Sequence, residues 1–320
     1  MPLFKKKIVI GAKLEATLGT AETITAAEAA FFGWEADIVP TVDKVARPYP
    51  GAFSELAAAM GARMGTATFK VDLHGSGTTD TAPTWANTLL PACGLVPDSG
   101  TITNFILRSL APAGSATDDV PHTVTIAMYE DGRRKAIYGA MGNVKFVLDK
   151  AGVKGYAEFE FMGIWVEPTD ATLLAPTMPS IIPPAVRGCT CTVATLGLTT
   201  DKIEIDLGNQ VSERPDVTAA SGYGYYIITD RQPTVTLSRE AVLLATQNHW
   251  ADFTAGTTRA LAIALGGATW NKLEWAAPAA QVDDVKSGDR NGLITDDLTF
   301  ALRRSAANDD ELTLNFTSGS

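Results

Sequence analysis

The stretch Thr66–Gly75, TATFKVDLHG, alternates strictly, with Phe69, Val71 and Leu73 on one face and Thr68, Lys70 and Asp72 on the other. A period of two is that of a half-buried β-strand, because successive side chains point to opposite faces of a sheet. The same pattern recurs downstream. Val144, Phe146 and Leu148 share a face over Asn143–Asp149. Ala157, Phe159 and Phe161 oppose Tyr156, Glu158 and Glu160. Lys150–Gly155 is a connection short enough for an antiparallel pair. Before them, Thr123–Tyr129 runs into Glu130-Asp131-Gly132-Arg133, and an Asp-Gly pair between two β-rich runs predicts a hairpin. The reading is a mainly β, antiparallel fold.

One short helix is predicted at Pro83–Cys93, PTWANTLLPAC. Pro83 suits a first helical turn and Gly94 the exit, while Pro91 shortens the helix near its end. Glu167–Pro184 is rich in Pro, Thr and Ser and reads as a linker, which places a boundary near residue 175.

The second half then echoes the first at a spacing of about 165 residues. Asp37-Ile38-Val39 is matched by Lys202–Ile205, and Arg47-Pro48 by Arg214-Pro215. Phe69-x-Val71-x-Leu73 is matched by Val235-x-Leu237, and Trp85 by Trp250. Strands are expected at Ala260–Leu265, Trp270–Trp275, Leu293–Leu302 and Glu311–Phe316. The expectation is a tandem duplication: residues 1–175 and 176–320 as two antiparallel β-sandwich or half-barrel domains, each with one short helix and one long extended loop. The loops are Thr41–Ala62 and Gly208–Gly224. Loops of that length inside a compact domain are usually functional or disordered; their matching places in both halves favour function, and an arm reaching a neighbouring subunit is the simplest use.

Composition narrows the function classes. The 320 residues carry 26 Lys+Arg against 36 Asp+Glu, a net charge of −10, with 46% hydrophobic and 19% charged residues. Charge is below the roughly 25% of an average globular chain, which suggests a surface partly covered by neighbours. No run approaches the roughly 18 apolar residues of a spanning helix. The acidic balance argues against gripping nucleic acid, although an acidic surface suits a channel through which it passes. The N-terminal Lys5-Lys6-Lys7 is followed by too short an apolar stretch for a secretory signal. Three cysteines, Cys93, Cys189 and Cys191, make no disulfide framework, and a reduced compartment is expected. Cys189-x-Cys191 is too tight for the common zinc spacing.

No catalytic constellation stands out, and neither an enzyme nor a cofactor is expected. Gly75-Ser76-Gly77 lacks the Lys-Ser/Thr ending of a phosphate loop and reads as a turn, and Gly222-Tyr223-Gly224 lacks a third glycine. His74, His122 and His249 are scattered. The acidic pairs Asp118-Asp119, Asp283-Asp284, Asp296-Asp297 and Asp309-Asp310 lack calcium-loop spacing and read as solvated loop ends. Asp118, Asp119, Asp283 and Asp284 are candidates for charge facing a channel. Gly288–Gly292 reads as a tight turn between strands. Polysaccharide hydrolysis would need paired carboxylates in a cleft, and these pairs sit in turn-like contexts.

The run His74–Leu95, HGSGTTDTAPTWANTLLPACGL, resembles the strand, turn and helix segment of siphophage-type tail tube proteins, at Ala82, Pro83, Trp85, Leu89, Leu90, Cys93 and Gly94. Tyr129–Gly152, Tyr156–Pro168 and Ala12–Thr23 are similar to that family's hairpin, Phe-x-Phe strand and N-terminal segment. The resemblance is good over residues 1 to about 170 and weak but consistent beyond. It implies a structural virion protein of a long non-contractile phage tail, assembled in the host cytoplasm. Its subunits would form stacked rings around a lumen that holds the tape-measure protein and passes DNA without specific binding. Its partners would be itself, the tape-measure protein, the tail terminator and distal tail or baseplate proteins, with no membrane. The two long loops then become stacking arms, with Arg47, Pro48, Tyr49, Arg214 and Pro215 as contact candidates. Two tube domains per chain imply three chains per ring with pseudo-sixfold symmetry. The rival is a hexamer with residues 176–320 as an outer decoration, although no immunoglobulin Cys…Trp…Cys pattern is present. The alternative function is another virion β-protein: a tail terminator, baseplate ring or decoration protein.

Overall fold

The alternating stretch at Thr66 is the inner end of a strand that runs from Glu55 to Asp72. The computed structural model describes residues 1–320 except 1–3, 5, 49, 52, 54, 99–100, 110–119 and 319–320. In the first half the elements are β1 (Ile8–Leu14), β2 (Gly33–Pro48), β3 (Glu55–Asp72), α1 (Thr84–Leu89), β4 (Leu95–Asp98), β5 (Thr101–Leu107), β6 (Val124–Glu130), β7 (Arg133–Leu148) and β8 (Tyr156–Asp170). The second half has β9 (Thr190–Val193), β10 (Leu196–Gly197), β11 (Thr200–Asp206), β12 (Asn209–Pro215), β13 (Tyr223–Arg231) and β14 (Thr234–Glu240). These are followed by α2 (His249–Ala255), β15 (Thr258–Ala268), β16 (Asn271–Arg290), β17 (Leu293–Leu302) and β18 (Thr313–Thr317). The protein is mainly β and its paired strands are antiparallel.

Hydrogen bonding links the first-half strands in the order β1-β6-β7-β8-β3-β2. In the second half the order is β9-β15-β16-β17-β14-β11. The two orders correspond strand for strand, and each half places its α-helix after the same hairpin. Registers agree as well. Ala67 lies opposite Ile38 on one side and Phe161 on the other. Val235 lies opposite Ile205 and Phe300 in the same way.

Local chemistry sets these elements. Asp131 and Gly132 both take positive φ between β6 and β7, as a two-residue hairpin turn requires. α1 has Pro83 at its N-cap, continues as a 3-10 turn over Pro91–Cys93, and stops at Gly94 with φ 79°. Asn291 and Gly292 turn β16 into β17, also at positive φ.

The halves join edge to edge. β7 pairs with β11, Phe146 opposite Ile205 and Val147 opposite Glu204. β5 pairs with β18, Phe105 opposite Leu314. Among the described residues sixteen strands thereby form one sheet, with β12 and β13 as a separate pair. Most of the buried apolar residues form one cluster across the halves, with the Phe146 and Trp275 ring centroids 5.5 Å apart and those of Trp85 and Phe316 5.8 Å apart.

Four expectations need correction. Thr41–Ala62 and Gly208–Gly224 are not loops but largely β-hairpin arms, built from the outer parts of β2–β3 and from β12–β13. The run ELAAAMGARMG disguises a strand because Ala and Gly have low β-propensity, while the hairpin partner satisfies the backbone groups. The linker begins later than read, since β8 continues to Asp170. Trp250 lies on α2 as expected but is exposed, whereas Trp85 is fully buried. The residues that α2 buries are His249 and Asp252. Asp283 and Asp284 are not loop ends: both lie inside β16, beside a bulge.

Candidate assembly surfaces

Among the described residues, the surface features of this fold are two hairpin arms, a polar sheet face and several strand edges that bond no second strand. The first arm is the outer end of β2–β3. Thr41 pairs with Met64, Val45 with Ala59 and Pro48 with Glu55. Its side chains are exposed, including Val45, Leu56 and Met60, the last at 67%. Arg47 and Pro48 end β2, where a residue lacking an N–H does no harm. Tyr49 lies outside the described residues.

The second arm is β12–β13, and it lies down on the first half. Tyr223 and Tyr226 pack with Ile164, Tyr138 and Met64. The Arg63 N–H donates to the Ser221 carbonyl at 3.1 Å. Gly139, at φ 57°, lies against Tyr225, where a Cβ would approach the Tyr225 Cα to 3.3 Å. Arg214 stacks over the Tyr225 ring at 4.9 Å, and Pro215 ends β12 as Pro48 ends β2. The two Arg-Pro pairs thus occupy matching places on matching arms, but Arg214 and Pro215 are engaged within the chain while Arg47 and Pro48 extend outward.

The polar face is the outer side of β11-β7-β8-β3-β2. Lys70 bridges Glu35 at 2.9 Å and Glu158 at 3.2 Å. Across the seam, Lys145 meets Glu204 at 2.8 Å, and Lys202 meets the same carboxylate at 2.6 Å. Asn143 donates to Asp206 at 2.8 Å. These contacts raise the Lys70 and Lys202 pKa values, with hydrogen bonds to Glu35 and Glu204 as the largest causes. A shallow depression of about 350 Å³ lies on this face, lined by Glu35, Lys70, Lys145, Glu158 and Glu160. Sequence reasoning passed over these residues as charged positions of interest, although the alternation at Thr66–Gly75 already put Lys70 on that face. The chosen candidates fare differently. Asp118 and Asp119 lie outside the described residues. Asp283 is exposed, and Asp284 pairs with Lys286 on β16.

The reactive residue types are held in structural roles. Burial raises the Cys93 thiol, and it carries Cys189 to about 11 and Cys191 to about 12, so none is a ready thiolate. His74 and His249 are buried rather than at the surface. Burial lowers both, His249 to about 4, with Arg239 as the next cause for His249. The Gly75-Ser76-Gly77 turn is a seam contact: the Gly75 N–H donates to Asn271 Oδ1 at 2.8 Å and the Gly77 N–H to the Trp270 carbonyl at 3.1 Å. Of the acidic pairs, Asp296 binds buried Arg239, Asp309 binds Arg231, and Asp310 accepts from Ser305, Ala306 and Ala307. Among the described residues no group of three His, Cys, Asp or Glu could hold a metal, and no helix is long and apolar enough to cross a membrane.

Among the described residues, β1, β4 and β10 each bond a single strand, and two of the longest unpaired edges are the outer edge of β2 and the C-terminal stretch of β16. β2 ends its row of strands, bonded among the described residues to β3 alone. β16 bonds β15 with residues up to Gln281, and beyond it only β17, so one edge of Val282–Arg290 has no strand beside it among the described residues. No protein-family model matches the chain, and no curated protein matches it.

Proposed function

We propose that this chain is a structural virion protein, the major tail tube subunit of a long non-contractile phage tail. Its two halves act as tandem tube units, so three chains make a ring with pseudo-sixfold symmetry. The observation that carries this reading is the repeated strand order of the two halves together with their edge-to-edge joining through β7 and β11. A unit that already continues its sheet into a copy of itself needs only more copies to close a ring, and closure removes the edge strands that otherwise invite aggregation.

In such a ring the polar face of alternating Lys and Glu lines the lumen. Its positive and negative charges are interleaved and paired, which favours passage of tape-measure protein and DNA over adhesion. The β2–β3 arm, with Arg47 and Pro48 near its tip, reaches a neighbouring ring or subunit. The chain acts by shape and needs neither cofactor nor catalysis.

Electron microscopy of the purified protein and of tails tests this directly. Tubes with three chains and six similar lobes per ring are expected. Six chains per ring would retain the tube role and overturn the tandem-unit reading. Localisation to one end of the tail, or to the capsid, would overturn the tube role.

A further inference from the structure

We infer that a second copy of this chain adds its β2 edge to the free edge of β16, in the register that β11 uses on β7 within one chain. The inference deepens the ring-forming reading above and names the surfaces that meet.

The argument runs through the internal correspondence. Val144 and Val285 occupy equivalent places, since they lie opposite Phe159 and Leu298, which in turn lie opposite Phe69 and Leu237. Lys145 therefore corresponds to Lys286, and Phe146 to Ser287. On the other strand, Ile38 and Ile205 are equivalent through Ala67 and Val235. Asp37 then corresponds to Glu204, and Val39 to Asp206. Within the chain, β7 and β11 pair Lys145 with Asp206 and Phe146 with Ile205. Transferred to two copies, the same register sets Lys286 opposite Val39 and Ser287 opposite Ile38.

Three observations fit that transfer. Among the described residues both edges are unpaired where they need to be, and a strand edge with free N–H and C=O groups is a template for another strand. The charges are complementary. Lys145 bridges Glu204 across the existing seam, and Lys286 would meet Asp37 in the same diagonal relation. Lys286 is 73% exposed and Asp37 is exposed, so both are accessible to a partner. The third observation is the arm. β12–β13 follows β11 and covers Ile164 and Tyr138 of the first half. The equivalent β2–β3 arm meets its own chain near its base, at Ala62–Met64, and leaves Val45 and Met60 farther out exposed. Docking β2 on β16 carries that arm onto the neighbouring copy, as β11 carries its own arm onto the first half.

The test is a cross-link between the opposed positions. Val39→Cys and Lys286→Cys are combined in the full chain, with Cys189→Ser to remove the most accessible native thiol. Oxidised samples run on denaturing gels are expected to show a closed trimer that reverts on reduction, while each single variant stays monomeric. Rings by microscopy without the cross-link would overturn this pairing and leave the ring reading standing. Cross-linked chains that never form rings would support the pairing and overturn the ring reading. Neither cross-links nor rings would overturn both. Hydrogen exchange on the unmodified protein provides a variant-free check: amides in Asp37–Val39 and Lys286–Gly288 are expected to slow at least tenfold on assembly. Unchanged exchange there, in assembled protein, would overturn the pairing.

Discussion

Lys145 and Glu204 stand 2.8 Å apart on neighbouring strands that belong to different halves of the chain. That ion pair marks the line where one strand set continues into another built the same way. Hydrogen bonds from Lys145 and Lys202 hold the Glu204 carboxyl below its ordinary range against the opposing effect of burial. The contact is half-buried, so its worth lies in fixing register more than in stability.

The two tryptophans on equivalent helices are expected to behave differently. Trp85 is fully buried, stacks edge-on against Phe316, and donates from Nε1 to the His74 carbonyl at 3.1 Å. Trp85→Ala should cost about 3–5 kcal/mol in urea unfolding. Trp250 is 43% exposed, and Trp250→Ala should change monomer stability by less than about 0.5 kcal/mol. Equal losses would contradict the helix packing described here.

Arg239 and Asp296 form a buried ion pair at 2.9 Å, with Arg239 also bonded to Gln247 at 2.7 Å. Removing one partner strands the other charge in a poorly solvated site. Arg239→Ala is expected to cost about 3–5 kcal/mol, measured by denaturant unfolding. Arg239→Met with Asp296→Leu should recover part of that loss, because it removes both charges.

Stability should fall with acid in a window set by His249. Its folded pKa, about 4, lies below the ordinary value of 6.5, chiefly through burial and secondly through Arg239, with Asp252 and Asp296 opposing. Between those values the unfolded chain binds the extra proton, so stability rises with pH and is fully present above about 6.5. His74 is shifted the same way by burial and contributes in the same direction. Unfolding free energies measured from pH 4 to 7 should show a positive slope, and His249→Gln should flatten it. An unchanged slope in the variant would assign the effect elsewhere.

Gly75 sits where the first half touches the second. A Cβ there would fall 2.0 Å from the Trp270 carbonyl oxygen and 2.9 Å from the Asn271 Cα. Because the obstacle is backbone, Gly75→Ala should cost about 1–3 kcal/mol. Gly152→Ala is a poor control because φ there is 90°. Gly267→Ala, with open space and no positive φ, should be nearly neutral. Melting temperatures of the two variants give the comparison.

The β2–β3 arm is expected to matter for assembly and little for folding. Replacing residues 43–61 with a two-residue turn removes mostly exposed side chains. Melting should shift by only a few degrees, while tube length by microscopy should collapse. Normal tubes from the shortened chain would remove the arm from the assembly.

Short-range features were legible in the residues themselves. The alternation at Thr66–Gly75, the Asp131-Gly132 turn, the helix between Pro83 and Gly94, and the matching Arg-Pro pairs each depend on a few neighbouring residues and their backbone preferences. The mainly β class followed from them, because period-two patterning is a local property. Tertiary structure alone decided which edges meet. Nothing near Phe146 announces Ile205 as its neighbour, because that choice depends on which apolar faces can be buried together over long separations. The same burial turned Trp250 outward and Trp85 inward on similar helices. Backbone pairing with β2, without burial, made an exposed Ala-rich run a strand, and burial made a glycine turn a joint between halves. Local rules write the elements of this protein; the shared core and the pairing of distant backbone groups determine how they join.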